Sequence, residues 1–338
     1  MATSCSGLRH LVGTLFPRVR EQMAPLSLAL GDSLVWTSCG HLRKIRRSSG
    51  IRAEVRILPG ESDPTEHWAS EREFFDAQAR AAANFNLLQV AERYEGALGH
   101  ALYPLEVAYE SLGDISGKRL LDVGCGLGEN SLLFARWGAQ VTGVDVSGTS
   151  LAVAQQRAAK FGLTDRVSFV ETPIELMDTA RGAYDIVWCA AFLHHVLDRL
   201  DDVCTVLSNL LVPRGFVLFS EPVRLSRTVK LLRKLMPIPT AGTPDERPLE
   251  PHDLAVISSS FDIEEPRLFG PVSRLQRIVL PGSYENAGRT RRWCADSVYR
   301  LDRQLMRLPP LATAAMIMVA KLRPKAAAHR RAPQTQAS

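Results

Sequence analysis

The sequence predicts an α/β domain of the doubly wound, Rossmann-like type, in which parallel strands alternate with helices. Three observations lead to this prediction. Leu120, Leu121 and Val123 form a short apolar run of the kind found in buried parallel strands. Three glycines then follow in the order G-x-G-x-G, and a helix-like run begins directly after them. Further short apolar runs recur along the chain with helix-like segments between them.

The glycine loop, which contains Gly124, Gly126 and Gly128, predicts a ligand-binding turn. A side chain in this turn would keep a ligand away from the backbone, and glycine adopts positive φ angles without strain. The helix that follows, from Ser131 to Trp137, adds free N–H groups and the positive end of a dipole. Dinucleotide enzymes also use glycine loops, but the spacing here is not the G-x-G-x-x-G that binds a pyrophosphate.

The second predicted strand, Val141 to Asp145, ends in a carboxylate. An acid in this position can accept hydrogen bonds from both hydroxyls of a ribose, and charge-assisted bonds of this kind contribute roughly 1.5–3 kcal/mol each. Asp145 is therefore the strongest single candidate for binding a nucleoside. Ser147 is expected to cap the helix that follows and ends near Gly162.

In two strings, LLDVGCGLGENS and VTGVDVS, the chain resembles the class I S-adenosyl-L-methionine-dependent methyltransferases. The resemblance is to the small-molecule type with a methyltransferase 11/25-like domain, and it is close over about residues 115–222. It implies a seven-stranded, mostly parallel sheet with an antiparallel last strand. It also implies an N-terminal helical cap and a cofactor bound across the carboxyl edge of the strands.

The resemblance further implies which residues hold the cofactor. Asp122 would support the glycine loop and the cofactor's ammonium group, although it could instead cap only the loop N–H groups. Many relatives bind adenine with an acid after the third strand, where this chain has Thr172 and Pro173, so adenine is expected to meet backbone groups there. The full expected set is Asp122, Gly124, Cys125, Gly126, Gly128, Asp145, Val146, Pro173, Ile174 and Ala190.

Two histidines and a glutamate are the candidate catalytic residues. His194 and His195 follow the fourth predicted strand, and one of them should point away from the crevice if the backbone stays regular. Glu221 closes the fifth predicted strand and is expected to point toward the same crevice. An oxygen acceptor must lose a proton, and a positioned base typically contributes ~10²–10⁴-fold. The order of candidates is His195, His194 and Glu221; packing or anchoring roles are the alternatives.

The sequence predicts that the whole chain is divided into five parts. These are a disordered or targeting extension (1–60), the helical cap (61–113), the cofactor-binding core (114–222), the C-terminal part with helical insertions (223–323) and a disordered tail (324–338). The cap's aromatic residues are expected to be mainly core. A basic amphipathic helix is predicted within 223–250, and Arg289, Arg291 and Arg292 form a second basic cluster. Both are interpreted as solvated faces, with peripheral membrane contact as the alternative. Ala312 to Leu322 is expected to be the last strand.

Composition limits the partners and the compartment. The net charge of +5 over 338 residues is mild, so no nucleic-acid partner is expected. The six cysteines are scattered and form no metal-binding pattern, which favours reduced thiols in the cytoplasm and no metal site. Residues 1–60 are basic and poor in acids, so a mitochondrial or other organelle location is the alternative. The oligomeric state is not predicted.

The sequence therefore predicts a methyltransferase that acts on a small, partly apolar acceptor such as a phenol, quinone precursor, terpenoid or lipid. Oxygen is the expected methylated atom, and a carbon or nitrogen acceptor would need no base. One alternative is a nicotinamide-dependent oxidoreductase, which the glycine spacing and the lack of a Tyr-x-x-x-Lys pair disfavour. The other is a cofactor-binding module without turnover.

Overall fold

The strands of the sheet form where the sequence has its apolar runs. The computed structural model describes residues 64–80, 87, 103–177, 180–226, 247–280 and 287–325. Its strands are β1 (Arg119–Val123), β2 (Gln140–Asp145), β3 (Val167–Glu171), β4 (Tyr184–Ala190), β5 (Leu211–Pro222), β6 (Phe261–Phe269) and β7 (Ile317–Pro324).

The seven strands form one sheet in the order β3-β2-β1-β4-β5-β7-β6. Strands β1 to β5 are parallel, and β7 lies antiparallel between β5 and β6. Because β6 is also antiparallel to β7, it runs in the same direction as β5, and its carboxyl end lies at the same edge of the sheet. This topology confirms the predicted Rossmann-like sheet with an antiparallel last strand.

Helices join the strands and cover the sheet. They are α1 (Pro64–Arg80), α2 (Pro104–Leu112), α3 (Glu129–Arg136), α4 (Gly148–Lys160), α5 (Leu200–Leu210), α6 (Pro251–Ser260), α7 (Gln276–Val279), α8 (Arg289–Leu305) and α9 (Pro309–Ala312). Ser147 caps α4 as predicted, because its Oγ accepts a hydrogen bond from the Ser150 N–H at 3.0 Å. No helix in the described ranges is long and apolar enough to cross a membrane.

An aromatic cluster joins α2 and α3 to the sheet. The ring of Trp188 in β4 stacks on Tyr109 at 5.4 Å and meets the edge of Phe134 at 4.9 Å. All three side chains are buried, as are Leu120 and Leu121 of β1. Aromatic pairs of this kind contribute about 0.5–1.5 kcal/mol beyond the area they bury. The cluster therefore fixes β1 and β4, which carry the site.

Two strand boundaries differ from the sequence prediction. Strand β5 begins at Leu211 rather than near Phe216, because Leu211 pairs with Tyr184 before an irregularity that includes the positive φ of Arg214. Strand β7 begins at Ile317 rather than at Ala312, because residues 309–312 form a helical turn instead.

Several predictions concern residues outside the described ranges. The extension 1–60, most of the basic amphipathic helix between 223 and 250, and the tail after 325 all lie there. The described residues from Thr65 onward belong to one unit, and the predicted part boundaries at 113, 222 and 323 stay predictions.

Candidate active site

A cavity of about 280 Å³ lies at the carboxyl edge of β1, β2 and β4. It is formed by the ends of these strands, the loops after β3 and β4, and one face of α1. The residues that line it are His67, Trp68, Glu71, Phe74, Phe75, Val123, Gly124, Gly126, Val144, Asp145, Val146, Thr172, Pro173, Ile174, Glu175, Ala191, Phe192, His194, His195 and Val196. This is the edge where ligands bind in open α/β sheets.

Two of the three loop glycines line the cavity. Gly126 has a φ of +50°, and a Cβ placed there would meet no atom within 4 Å, so its backbone is open to a ligand. Gly128 does not line the cavity. A Cβ at Gly128 would lie 2.7 Å from the Cβ of Ala154, so this glycine allows α4 to pack closely against the loop.

Asp145 lies at the end of β2 and lines the cavity. Its Oδ2 accepts a hydrogen bond from the Gly126 N–H at 2.8 Å, and its Oδ1 accepts one from the Ser147 N–H at 2.9 Å. Burial raises the pKa of Asp145, and these backbone bonds oppose the rise. A carboxylate has about four acceptor sites, so acceptor capacity remains for a ligand hydroxyl.

Asp122 and Cys125 lie behind the loop rather than in the cavity. Asp122 is buried and accepts a hydrogen bond from Ser131 Oγ at 2.6 Å. Burial raises the pKa of Asp122 to about 7. Burial also raises the pKa of the Cys125 thiol, whose Sγ would lie 2.9 Å from a Cβ at Gly143. Their side chains therefore support the loop from within the protein.

The loop after β3 forms an apolar shelf beside Asp145. Thr172, Pro173 and Ile174 line the cavity there, where the sequence prediction places adenine. Glu175 follows, and its Oε1 lies 3.0 Å from Arg199 Nη1. The Arg199 guanidinium lies 5.2 Å from the centre of the Trp68 ring, which links this loop to α1.

Both histidines line the cavity, whereas a regular strand would have turned one of them away. The chain leaves β4 at Ala190, and Ala191 adopts a φ of +54°. A 3₁₀ turn then spans Leu193–His195 and brings the two rings to 4.3 Å between centres. The alternation of side chains along a strand no longer applies in such a turn. The same departure explains why Ala191 rather than Ala190 lines the cavity.

Glu221 lies behind His194 and does not line the cavity, although the sequence reading directed it toward the crevice. Its side chain is fully buried. Oε1 accepts hydrogen bonds from the N–H groups of Phe192 and Leu193 at 2.7 and 2.9 Å. Oε2 lies 2.7 Å from His194 Nδ1, which donates to it in the matching tautomer. Glu221 therefore anchors the histidine turn.

His195 meets a carboxylate from α1. Its Nδ1 lies 3.2 Å from Glu71 Oε2, and both side chains are largely buried. His67 Nε2 lies 2.9 Å from the backbone oxygen of His195, and the Phe75 ring lies 5.8 Å from the His195 ring. Each histidine thus has a glutamate at Nδ1.

Helix α1 contributes five side chains to the cavity. The resemblance implied a helical cap in this part of the chain, but none of these side chains was named as a candidate site residue. Trp68, Phe74 and Phe75 were expected to be mainly core but line the cavity. The helical spacing of His67, Glu71 and Phe74 was a signal for one shared face, but it does not show what that face meets. The helix is tied to the end of β2, where Arg72 Nε donates to the Val146 oxygen at 2.9 Å and Ser147 Oγ donates to Asp76 at 2.5 Å.

The residues present fit an adenosyl ligand with a separate apolar acceptor beside it. Asp145 beside the open Gly126 suits a ribose, and the shelf formed by Pro173 and Ile174 suits a purine. Aromatic rings and two histidines also line the cavity. Within the described residues, no group of three or more His, Cys, Asp or Glu side chains could hold a metal ion.

Comparison with known proteins identifies the family. The family model described as "Methyltransferase domain" matches residues 121–219. The chain is 40% identical over 126 residues to the ubiquinone biosynthesis O-methyltransferase of Bordetella bronchiseptica, covering 36% of this chain and 50% of that protein. It is 36% identical over 170 residues to the protein of the same name from Shewanella pealeana, covering 46% of this chain and 70% of that protein. The chain thus spans between half and about two thirds of these relatives.

Among solved structures, a magnesium protoporphyrin IX methyltransferase from Synechocystis aligns with a TM-score of 0.44 and 15% identity over 76% of this chain and 99% of that chain. That likeness is too distant to carry an argument about function. The family model, the Shewanella relative, the sheet order and the glycine loop before Asp145 all agree. The chain belongs to the class I S-adenosylmethionine-dependent methyltransferases.

Proposed function

We propose that the protein transfers a methyl group from S-adenosylmethionine to an oxygen of a small, partly apolar acceptor. The observation that carries the proposal is the pair of histidines, each with a glutamate at Nδ1, in one cavity with Asp145. The names of the curated relatives, ubiquinone biosynthesis O-methyltransferases, support it. A catechol-type quinone precursor with an apolar tail is the acceptor class that best fits a cavity lined by Phe74, Phe75 and Phe192.

Cofactor binding is assigned to the residues at the Asp145 end. The Asp145 carboxylate would accept hydrogen bonds from the ribose hydroxyls, and the backbone of Gly124 and Gly126 would lie against the ligand. Val146, Pro173 and Ile174 would enclose the adenine. The bound cofactor supplies a methyl group on a positively charged sulfur. Asp122, Cys125 and Gly128 act through the shape of the loop, because none of them lines the cavity.

The proposed base is His195. With Nδ1 directed at Glu71, its Nε2 is the nitrogen that can take the acceptor's proton. His194 is the second candidate by the same argument, with Glu221 at its Nδ1. Glu221 is proposed as the residue that positions His194 rather than as a base. The apolar walls exclude water, which favours a reaction that neutralises the sulfonium charge.

The test is a methyl-transfer assay with isotope-labelled cofactor and a catechol carrying an apolar tail. We expect an O-methylated product by mass spectrometry. His195→Ala should lower kcat by ~10²-fold or more while cofactor affinity stays within about twofold. His194→Ala, measured in parallel, ranks the two histidines. Full activity in His195→Ala would remove it as the base. Cofactor binding without transfer to any of a panel of phenols would favour a binding module.

The cellular setting is part of the same proposal. A cytoplasmic location is supported by the scattered cysteines, and an organelle is the alternative if residues 1–60 act as a transit peptide. Imaging the full chain and a form lacking residues 1–60, each fused to a fluorescent protein, distinguishes the two locations. Nucleic acid is not a proposed partner, and the oligomeric state is left to measurement.

A further inference from the structure

Helix α8 has an inner face that anchors it to the protein. Ala295, Tyr299 and Asp302 recur every three to four residues and are all buried. The Asp302 carboxylate accepts hydrogen bonds from the N–H groups of Gly270 and Ser273 at 2.7 and 3.1 Å. The orientation of α8 is therefore fixed by one face alone, and its other face is turned to solvent.

The outer face of α8 combines arginines with a solvent-exposed tryptophan. Arg289, Trp293, Arg300 and Gln304 lie four, seven and four residues apart, which places them on one side of the helix. The Trp293 side chain is 66% exposed, and Leu301 on the flank of this face is 54% exposed. Large apolar side chains exposed together mark interaction sites more often than ordinary surface.

Two further apolar side chains extend this surface. Ile278 in α7, which packs against α8, is 78% exposed, and Leu308 just after α8 is 52% exposed. We define the α8 surface as Ile278, Trp293, Leu301 and Leu308 together with the exposed arginines of residues 289–307. These arginines are Arg289, Arg291, Arg300, Arg303 and Arg307. Arg292 is left out, because its Nε atom is buried.

The charge of this surface has one sign. The two acids within residues 289–307 are Asp296 and Asp302, and both point into the protein. Asp296 accepts a hydrogen bond from the Tyr103 hydroxyl at 3.0 Å, and Asp302 is fully buried. The solvent-facing side of α8 is therefore cationic, with apolar groups among the charges.

The α8 surface belongs to the edge of the sheet that carries the cavity. Strand β6 runs in the same direction as β5, and the segment holding α7, α8 and α9 connects its carboxyl end at Phe269 to β7. The cavity lies at the carboxyl ends of β1, β2 and β4. An apolar acceptor that arrives along the α8 surface would thus reach the edge of the sheet where the cavity lies.

We propose that the α8 surface docks on an anionic lipid membrane. Trp293, Leu301 and Ile278 would enter the headgroup region, where tryptophan is favoured, and the arginines would meet lipid phosphates. A nucleic acid fits less well, because it offers no apolar layer for Ile278 and Leu301. A second copy of this chain fits less well, because two cationic faces repel each other. The inference does not depend on the methyl-transfer chemistry proposed above.

The test is co-sedimentation of the full-length protein with phosphatidylcholine vesicles, with and without about one third phosphatidylglycerol, at about 0.1 M salt. Wild-type protein should bind the anionic vesicles and lose binding as salt rises. Each arginine near an anionic surface contributes about 1 kcal/mol, so the variant Arg289→Gln/Arg300→Gln/Arg303→Gln should bind about a hundredfold more weakly. Trp293→Ser should weaken binding severalfold with its charge intact.

The matched control removes three positive charges at the opposite end of the molecule. Lys118→Gln/Lys160→Gln/Arg166→Gln changes exposed side chains near the amino edge of the sheet and should bind vesicles like the wild type. Equal losses in the control and the α8 variant would overturn the proposal, as would equal wild-type binding to both kinds of vesicle. Tighter binding to duplex DNA than to vesicles would also overturn it. A change in sedimentation from dimer to monomer in Trp293→Ser, with vesicle binding unchanged, would assign the surface to self-association instead.

Discussion

Asp145 is held by two backbone N–H groups that come from different elements, the glycine loop and the start of α4. A side chain held at both oxygens keeps one orientation before any ligand arrives, so little side-chain entropy remains to be lost on binding. The same bonds oppose the rise in the pKa of Asp145 that burial causes.

Replacing Asp145 with alanine should weaken cofactor binding by at least tenfold, because at least one charge-assisted bond is lost. Isothermal titration with S-adenosylhomocysteine measures this loss. Asp185→Asn is the control, because Asp185 pairs with Arg119 at the opposite end of the sheet and should leave the affinity unchanged. Unchanged affinity in Asp145→Ala, with an intact circular dichroism spectrum, would contradict the assignment.

Asp122 gives a prediction about pH and stability. Burial raises its pKa from 3.8 to about 7, so between these pH values the folded protein holds a proton that the unfolded chain releases. The stabilisation from this proton is complete below about pH 4 and is lost as the pH rises through about 7. An asparagine at this position cannot ionise. Between about pH 5 and pH 8, the unfolding free energy of Asp122→Asn should therefore fall by on the order of a few kcal/mol less than that of the wild type.

Urea denaturation of the cofactor-free protein at the two pH values measures this difference. Asp114→Asn is the control, because Asp114 is exposed and should keep the wild-type pH dependence. Equal pH dependence in Asp122→Asn and the wild type would show that Asp122 is ionised in the folded protein throughout this range.

At the scale of elements, the effect of a loop glycine on backbone conformation can be measured separately from its effect on ligand binding. Gly126 and Gly117 both have positive φ angles and both have open space where a Cβ would lie, but only Gly126 lines the cavity. Substituting either with alanine should cost a similar ~1–2 kcal/mol of stability from backbone strain. Only Gly126→Ala should also lower cofactor affinity, by about tenfold. Equal affinities in both variants would place the ligand away from the loop.

Helix α1 should take part in catalysis through Glu71. Glu71→Gln keeps the size of the side chain but removes the charge beside His195 Nδ1. We expect turnover with the catechol probe to fall at least tenfold, and the acidic limb of the pH–rate profile to move to lower pH, because the protonated histidine loses its charge partner. Glu73→Gln, on the exposed side of α1, is the control. An unshifted profile in Glu71→Gln would assign Glu71 a packing role only.

At the scale of the whole molecule, ligand binding should appear as a gain in stability. S-adenosylhomocysteine at about one hundred times its Kd should stabilise the fold by about 2.7 kcal/mol, which corresponds to a Tm rise of about 5–10 °C for a domain of this size. NAD at the same concentration should leave Tm unchanged. Thermal denaturation followed by circular dichroism checks both. A rise with NAD alone would contradict the family's cofactor at this site.

Sequence reasoning was most successful where the information is local. The run before Gly124, the acid at the end of β2 and the cap at Ser147 each involve neighbouring residues, and the structure contains all of these local features. The position of α1 could not be predicted from neighbouring residues, because Glu71 and His195 are in contact although more than a hundred residues separate them in the sequence. His194 and His195 were predicted as candidates, but the sequence did not show that both would face the cavity. That arrangement depends on the positive φ of Ala191, which no sequence pattern predicts.

The place of β7 has a consequence for biosynthesis. A nascent polypeptide that has emerged from the ribosome only through β6 leaves the outer edge of β5 bare, since β7 is the strand that lies between them. Unpaired edges of this kind recruit other strands, so the newly made protein is open to wrong strand pairing until residue 324 has emerged. A premature stop codon ahead of Ile317 would make that exposure permanent.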